Sequence, residues 1–177
     1  MIEIYDDFLP DELVRKLHLK TIHVLQRKSG VFSTNLWWNE KLRKGNPTPP
    51  VILIHNLMEF DDPLYHEVVE YMADKLPDLE IIGALFHIFT PGSYIGEHRD
   101  GALDRTHAMT IYLNSTEWTI DKGGLLRYND PINEKSGDVV PKYNRAVLLS
   151  GDVFHEVTPN TSTNLRKTLQ LWLKQRD

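Results

Sequence analysis

Arg166-Lys167-Thr168-Leu169-Gln170-Leu171-Trp172-Leu173-Lys174 is the stretch on which the fold turns. Along an extended chain, successive side chains point to opposite faces. Leu169, Leu171 and Leu173 therefore share one face, and Arg166, Thr168, Gln170 and Trp172 share the other. The pattern predicts a β-strand with an aliphatic side for packing and a polar side aimed elsewhere. The stretch ending at Asn114 divides in the same way, with Met109, Ile111 and Leu113 on one face and Thr110 and Tyr112 on the other. Polar groups on the inner face of a core need partners. A core built from such strands reads as the wall of a site rather than as filler.

Outward from these strands, the chain after residue 80 breaks into short β segments, at 81–90, 94–98, 107–114, 123–128, 145–149, 153–157 and 165–174. Turn chemistry separates them: Pro91-Gly92, Asp121-Lys122-Gly123-Gly124, Asn129-Asp130-Pro131 and Ser150-Gly151-Asp152. This spacing predicts a mainly β sandwich, jelly roll or barrel. Upstream, Ile2 to Tyr5 predicts a strand. Pro10-Asp11-Glu12 opens a helix, with proline in the first turn and acids at its positive end. Leu13, Leu17, Ile22 and Leu25 are its expected apolar stripe. Residues 28–50, with Trp37-Trp38 in the middle, read as a long loop or a mobile hairpin. A second helix is expected from Pro63 to Lys75, with Leu64, Val68 and Met72 on one face. The 177 residues suit one domain. Residues 1–80 are expected to give helical support and a substrate loop, and residues 81–177 the β core.

Composition narrows the chemistry. With 20 basic and 25 acidic side chains, the net charge of -5 gives no pull toward nucleic acid or an anionic membrane. The absence of cysteine rules out disulfides, thiolate catalysis and cysteine-ligated metals. Any metal must take nitrogen and oxygen ligands. No apolar run reaches a membrane span and no secretory signal opens the sequence, so a cytoplasmic protein is expected.

His98-Arg99-Asp100 sets an imidazole and a carboxylate two residues apart, on the same side of an extended strand end. With His155 as a third ligand, the set would be two histidines and one carboxylate, which leaves open positions on iron(II) in non-haem oxygenases. Each element alone is weak, because His-x-Asp recurs by chance in a chain with eight histidines. Arg166 adds weight. On the polar face of its strand it needs an anion, and its planar fork suits a carboxylate. A keto-dicarboxylate chelating the metal would present one there. Thr168 and Tyr112 are positioned to add hydroxyl donors. The competing reading of Arg166 is a surface ion pair.

Taken together, these segments resemble the 2-oxoglutarate- and iron(II)-dependent dioxygenases of the prolyl 4-hydroxylase type. The resemblance is carried by Phe89-Thr90-Pro91-Gly92 before His98-Arg99-Asp100, by Thr110-Ile111-Tyr112-Leu113-Asn114, and by Trp118 before Gly123-Gly124-Leu125-Leu126-Arg127. It continues through Pro141 to Arg145, His155-Glu156-Val157, Arg166 and Trp172. Order and spacing look closest to the oxygen-sensing prolyl hydroxylases of the hypoxia pathway and their microbial relatives. The match runs well over 83–174 and loosely over the first quarter.

The resemblance implies a double-stranded β-helix, a cupin-like jelly roll with flanking helices. It implies iron held by His98, Asp100 and His155, and 2-oxoglutarate held through its distal carboxylate by Arg166 and Tyr112. O2 would be the second co-substrate and ascorbate an accessory reductant. It implies hydroxylation of a prolyl residue in a peptide or protein. A free amino acid or small metabolite is the alternative substrate, and a non-oxidative cupin-like metal-binding module the alternative of another class. Many prolyl 4-hydroxylases outside the oxygen-sensor group carry lysine where this chain has Arg166. Asp100 favours hydroxylation over halogenation, because related halogenases have a small residue there. Tyr94, Arg127, Trp37, Trp38 and Trp172 are the candidate substrate contacts.

Overall fold

The structure is a computed structural model that describes residues 1–26, 33–34, 44, 52–59, 62–101 and 104–176. In chain order the elements are β1 (Ile2–Tyr5), α1 (Asp11–Gln26), β2 (Ser33–Thr34), β3 (Ile52–Asn56), α2 (Pro63–Lys75), β4 (Leu79–Phe89) and β5 (Ile95–His98). There follow β6 (His107–Tyr112), β7 (Leu126–Asp130), β8 (Lys135–Val139), β9 (Ala146–Ser150), β10 (Phe154–Val157) and β11 (Arg166–Gln175). They form a seven-stranded sheet, in the order β1-β9-β6-β11-β4-β3-β2, and a four-stranded sheet, β5-β10-β7-β8. All pairings are antiparallel. The architecture is the jelly-roll core that the sequence predicts.

β11 lies at the middle of the large sheet, and its register fixes both faces. It runs from Arg166 opposite Phe89 to Gln175 opposite Leu79 on β4, and from Thr168 opposite Tyr112 to Leu173 opposite His107 on β6. The outer face carries Phe86, Met109, Ile111, Leu113, Leu169, Leu171 and Leu173, packed on Leu13 and Leu17 of α1 and on Val68 and Met72 of α2. Burial of such side chains drives the layers together, at about 25 cal/mol per Å² of apolar surface.

α2 has the predicted bounds. Its N-cap, Asp62, accepts from the Leu64 N–H at 3.1 Å, and Pro63 follows in the first turn. In α1 the buried stripe is Leu13, Val14, Leu17, Thr21 and Val24, while Ile22 and Leu25 are only half-buried. The stripe tolerates Thr21 because its hydroxyl donates to the His18 carbonyl at 2.6 Å.

Besides the two-residue β2, two strands are not expected from the sequence. β3 is a short apolar run, Ile-Leu-Ile-His-Asn, which periodicity alone cannot assign. β8 reads Lys-Ser-Gly-Asp-Val and has no alternating signal. It exists because it pairs with β7 from Leu126–Val139 to Asp130–Lys135. The expected division at residue 80 needs correction, because β1, β2 and β3 all join the large sheet. Among the described residues no helix is long and apolar enough to cross a membrane.

Candidate metal and co-substrate site

The small sheet presents two histidines side by side. His98 ends β5, and His155 on β10 lies directly across from it. Their ring centroids are 4.3 Å apart. Asp100 follows two residues after His98, and its Oδ2 lies 3.4 Å from His155 Nε2. One ligand atom from each of the three falls within 4.8 Å of the others. Two donors bound to one ion at about 2.1 Å sit about 3 to 4 Å apart, and the Asp100–His155 pair at 3.4 Å already has that spacing.

The backbone orients both rings. His98 Nδ1 donates to the Gly96 carbonyl at 2.8 Å, and His155 Nδ1 to the Val153 carbonyl at 3.2 Å. A carbonyl can only accept, so Nδ1 carries the hydrogen and Nε2 of a neutral ring keeps its lone pair for a metal. Burial alone would raise the Asp100 carboxyl. The hydrogen bond and charge of His155, with His98 and Arg105 nearby, instead hold it at about 2. Burial pushes His155 the other way, but Asp100 outweighs it and the imidazole is raised. The pair keeps a carboxylate charge in place at neutral pH.

Across from the triad, the inner face of the large sheet supplies Arg166, Tyr112, His87, Thr168, Thr110 and Gln170, all buried. Arg166 is 1 % exposed. Its Nε donates to the Gly124 carbonyl at 2.7 Å, and its guanidinium lies 4.6 Å from the Phe89 ring centroid and 5.1 Å from that of Tyr112. Gly124 has φ +62, and a Cβ there would come within 3.0 Å of Arg166 Cδ. Glycine therefore permits both the left-handed turn and the approach of the arginine.

Burial lowers the Arg166 pKa against the opposing influence of Tyr112. Burial also raises that of Tyr112, with Arg166 and Arg145 opposing. Tyr112 and Arg166 lean toward a hydrogen bond with each other, yet neither the Tyr112 hydroxyl nor Arg166 Nη2 has one of good geometry. No acidic side chain among the described residues forms an ion pair with Arg166. A buried charge without a counter-ion is expensive, and the guanidinium fork is shaped for a carboxylate. The surface ion pair is thereby excluded for Arg166.

The other predicted residues divide. The Thr168 hydroxyl donates to the His87 carbonyl at 3.2 Å, so its one proton is directed at the backbone rather than at a ligand. Trp172 is on the inner face, its indole against Gly83, where a Cβ would come within 2.5 Å of the ring. Arg127 lies on the wrong side of its sheet: it faces Glu156, and His155 faces Tyr128, so it points away from the triad. It is held by Asp138 at 2.8 Å and Glu156 at 3.4 Å. Tyr94 is buried in the loop before β5. Trp37 and Trp38 lie outside the described residues.

Two residues went unnoticed in the sequence. Arg105 stacks over Trp172, 4.2 Å from the ring centroid, and contributes to the low pKa of Asp100. Nothing local marks it, since arginine is ordinary in a polar loop. His87 interrupts the apolar run Ala84-Leu85-Phe86-His87-Ile88-Phe89, and a lone imidazole in such a strand was the available signal.

Comparison with known proteins agrees with this geometry. Residues 84–174, just over half of the chain, match the family model of the 2OG-Fe(II) oxygenase superfamily. The chain belongs to that superfamily, whose members use iron(II), 2-oxoglutarate and O2. Among solved structures, a prolyl-4-hydroxylase from Pseudomonas putida superposes with a TM-score of 0.76 at 21% identity, covering 99% of this chain and 93% of that one. A prolyl hydroxylase from Trichoplax adhaerens, solved with a hypoxia-inducible-factor peptide fragment, gives 0.70 at 19% identity, covering 98% and 83%. The non-heme alpha-ketoglutarate-dependent epimerase SnoN of nogalamycin biosynthesis gives 0.71 at 10% identity, covering 98% and 78%. Among curated protein sequences nothing matches.

The residues present fit the groups the family uses. The triad offers the nitrogen and oxygen donors that suit iron(II). Arg166 Nη2 and the Tyr112 hydroxyl are buried polar atoms left open for an anion.

Proposed function

We propose that this chain hydroxylates a C–H bond of a prolyl residue in a peptide, with His98, Asp100 and His155 holding iron(II). The observation that carries the co-substrate assignment is Arg166, a buried cation with no acidic partner among the described residues, on the sheet face opposite the triad. Arg166 and Tyr112 then bind the distal carboxylate of 2-oxoglutarate. The anion offsets the desolvated guanidinium, and the tyrosine hydroxyl fixes its orientation. When bound, iron(II), 2-oxoglutarate and O2 supply the oxidation that converts C–H to C–OH, with succinate and CO2 as co-products.

The chain's own part is to hold and to exclude. The Nδ1–carbonyl hydrogen bonds lock both imidazoles, so Nε2 stays available without rearrangement. Asp100, ionised well below neutral pH, supplies the negative ligand. The apolar surround of Phe89, Trp172 and Val157 keeps bulk water from the reacting centre. Arg105 stacks on Trp172 and its charge reaches Asp100, so this pair is where the substrate ring would rest. The prolyl-4-hydroxylase fold shared over nearly the whole chain supports that substrate.

The same fold also serves an epimerase, so the reaction outcome needs its own test. The purified protein with iron(II), 2-oxoglutarate, ascorbate and a panel of prolyl peptides is expected to release succinate and to add one oxygen to a peptide. Oxygen incorporation into free proline or another metabolite, with no peptide modified, would reject the peptide assignment. Absence of 2-oxoglutarate binding would reject the oxygenase assignment.

A further inference from the structure

His87 has no place in the scheme so far, although it occupies the inner wall between the two halves of the site. It sits on β4 opposite Thr168, one inward-facing position along from Phe89, which is opposite Arg166. Its ring packs edge-on to Phe89 and Trp172, at centroid distances of 6.4 and 6.3 Å. It is 8% exposed, and its Nε2 is buried with no hydrogen-bond partner. It does not join the cluster of ligand atoms formed by His98, Asp100 and His155.

The groups whose charges reach His87 locate it. They are Asp100 and His98 on the metal side and Arg166 on the anion side. Burial is the largest influence and lowers the imidazole to about 4. The ring is therefore neutral at physiological pH, with one N–H to donate and one lone pair to offer. A neutral imidazole with an open nitrogen serves poorly as packing and well as a ligand contact.

We infer that His87 is a third protein contact to the 2-oxo acid, hydrogen-bonding an oxygen of the co-substrate as it spans from the triad to Arg166. This rests on the reading of Arg166 as the carboxylate anchor. A dicarboxylate held at both ends must pass the wall that His87 shares with Phe89. His87 is a positioning residue for the co-substrate: it neither ligates the metal nor meets the prolyl target.

The test uses the full chain loaded with manganese(II), which binds the same donor types as iron(II) without turnover. Manganese affinity, 2-oxoglutarate affinity and melting temperature are measured for the wild type, His87→Leu and His87→Gln. His87→Leu is expected to weaken 2-oxoglutarate about tenfold, as loss of one hydrogen bond to a charged ligand would. Manganese affinity should stay unchanged and melting temperature should not fall, and His87→Gln, which keeps a side-chain donor, should recover most of the loss.

Two-oxoglutarate binding by His87→Leu as tight as by the wild type would overturn the inference and leave the Arg166 reading intact. So would unchanged 2-oxoglutarate affinity accompanied by a raised KM for peptide, which would turn His87 toward the substrate. A wild type that binds manganese but no 2-oxoglutarate would overturn both readings. If His87→Leu does not fold, His87→Gln against His87→Phe carries the same comparison.

Discussion

The two faces of the seven-stranded sheet are made by the same strands and do opposite things. The outer face, with Phe86, Ile111, Leu169 and Leu171, is aliphatic and aromatic and is closed by two helices. Every group there gains by burial. The inner face, with His87, Tyr112 and Arg166, is buried as completely, yet each of these three keeps a polar atom without a partner. One face stores the stability and the other spends part of it. A ligand that satisfies those atoms should recover what their burial costs.

Substitutions on either face of the sheet test this difference. The largest expected effect is on the metal. Asp100→Ala should weaken metal binding by more than the roughly 10- to 100-fold that loss of a mere supporting partner produces, and should abolish succinate formation. Full turnover in that variant would remove the triad from the site.

Arg166→Leu should next lower 2-oxoglutarate affinity by about 2–5 kcal/mol, the usual loss when one partner of a buried charged contact is deleted. The ligand-free protein should melt no lower than the wild type, because an unpaired buried charge is gone. A sharp fall in its ligand-free melting temperature would contradict the idea that this face is built at the expense of stability. Leu171→Ala, on the other face of the same strand, should behave in reverse. It should lose about 2–5 kcal/mol of folding stability and keep its 2-oxoglutarate affinity at a temperature where it is folded. Tight coupling between the two variants would mean that the faces are not independent.

A smaller effect concerns pH. The folded pKa of His87, about 4, lies below its ordinary 6.5. Between those values the unfolded chain binds the proton and the folded chain does not. Stability of the metal-free protein should therefore fall as pH drops from about 6.5 toward 4, by up to about 1.4 kcal/mol per pH unit. Equilibrium unfolding of His87→Leu should show a flatter profile over that window; identical profiles would mean that the imidazole is not buried as described. The smallest effect is expected of Tyr112→Phe. Loss of one neutral hydroxyl should weaken 2-oxoglutarate by about 0.5–1.5 kcal/mol and leave ligand-free stability nearly unchanged, as its hydroxyl makes no hydrogen bond of good geometry.

Much of this contrast was legible in residues 166–174 and 109–113, because a period of two assigns side chains to faces without any knowledge of neighbours. The bounds of α2 were legible too, since Leu64, Val68 and Met72 recur at helical spacing from Pro63 onward. β8 was not, because its five residues carry no pattern of their own and pair only because β7 offers an edge. Arg127 shows the converse failure. The sequence set it just after the Gly-Gly turn, but the register with β10 turns it to the outside, where Asp138 and Glu156 hold it.

The candidate donor set is legible in local spacing and composition alone. His98 and Asp100 share a side because they are two residues apart, and the missing cysteine left only nitrogen and oxygen ligands. The folded chain, in contrast, sets His155 opposite His98, leaves Arg166 without an acidic partner among the described residues, and brings His87 within reach of the charges of both Asp100 and Arg166. Each of these depends on strand register across residues far apart in the chain, where a shift of one position would send every side chain to the opposite face.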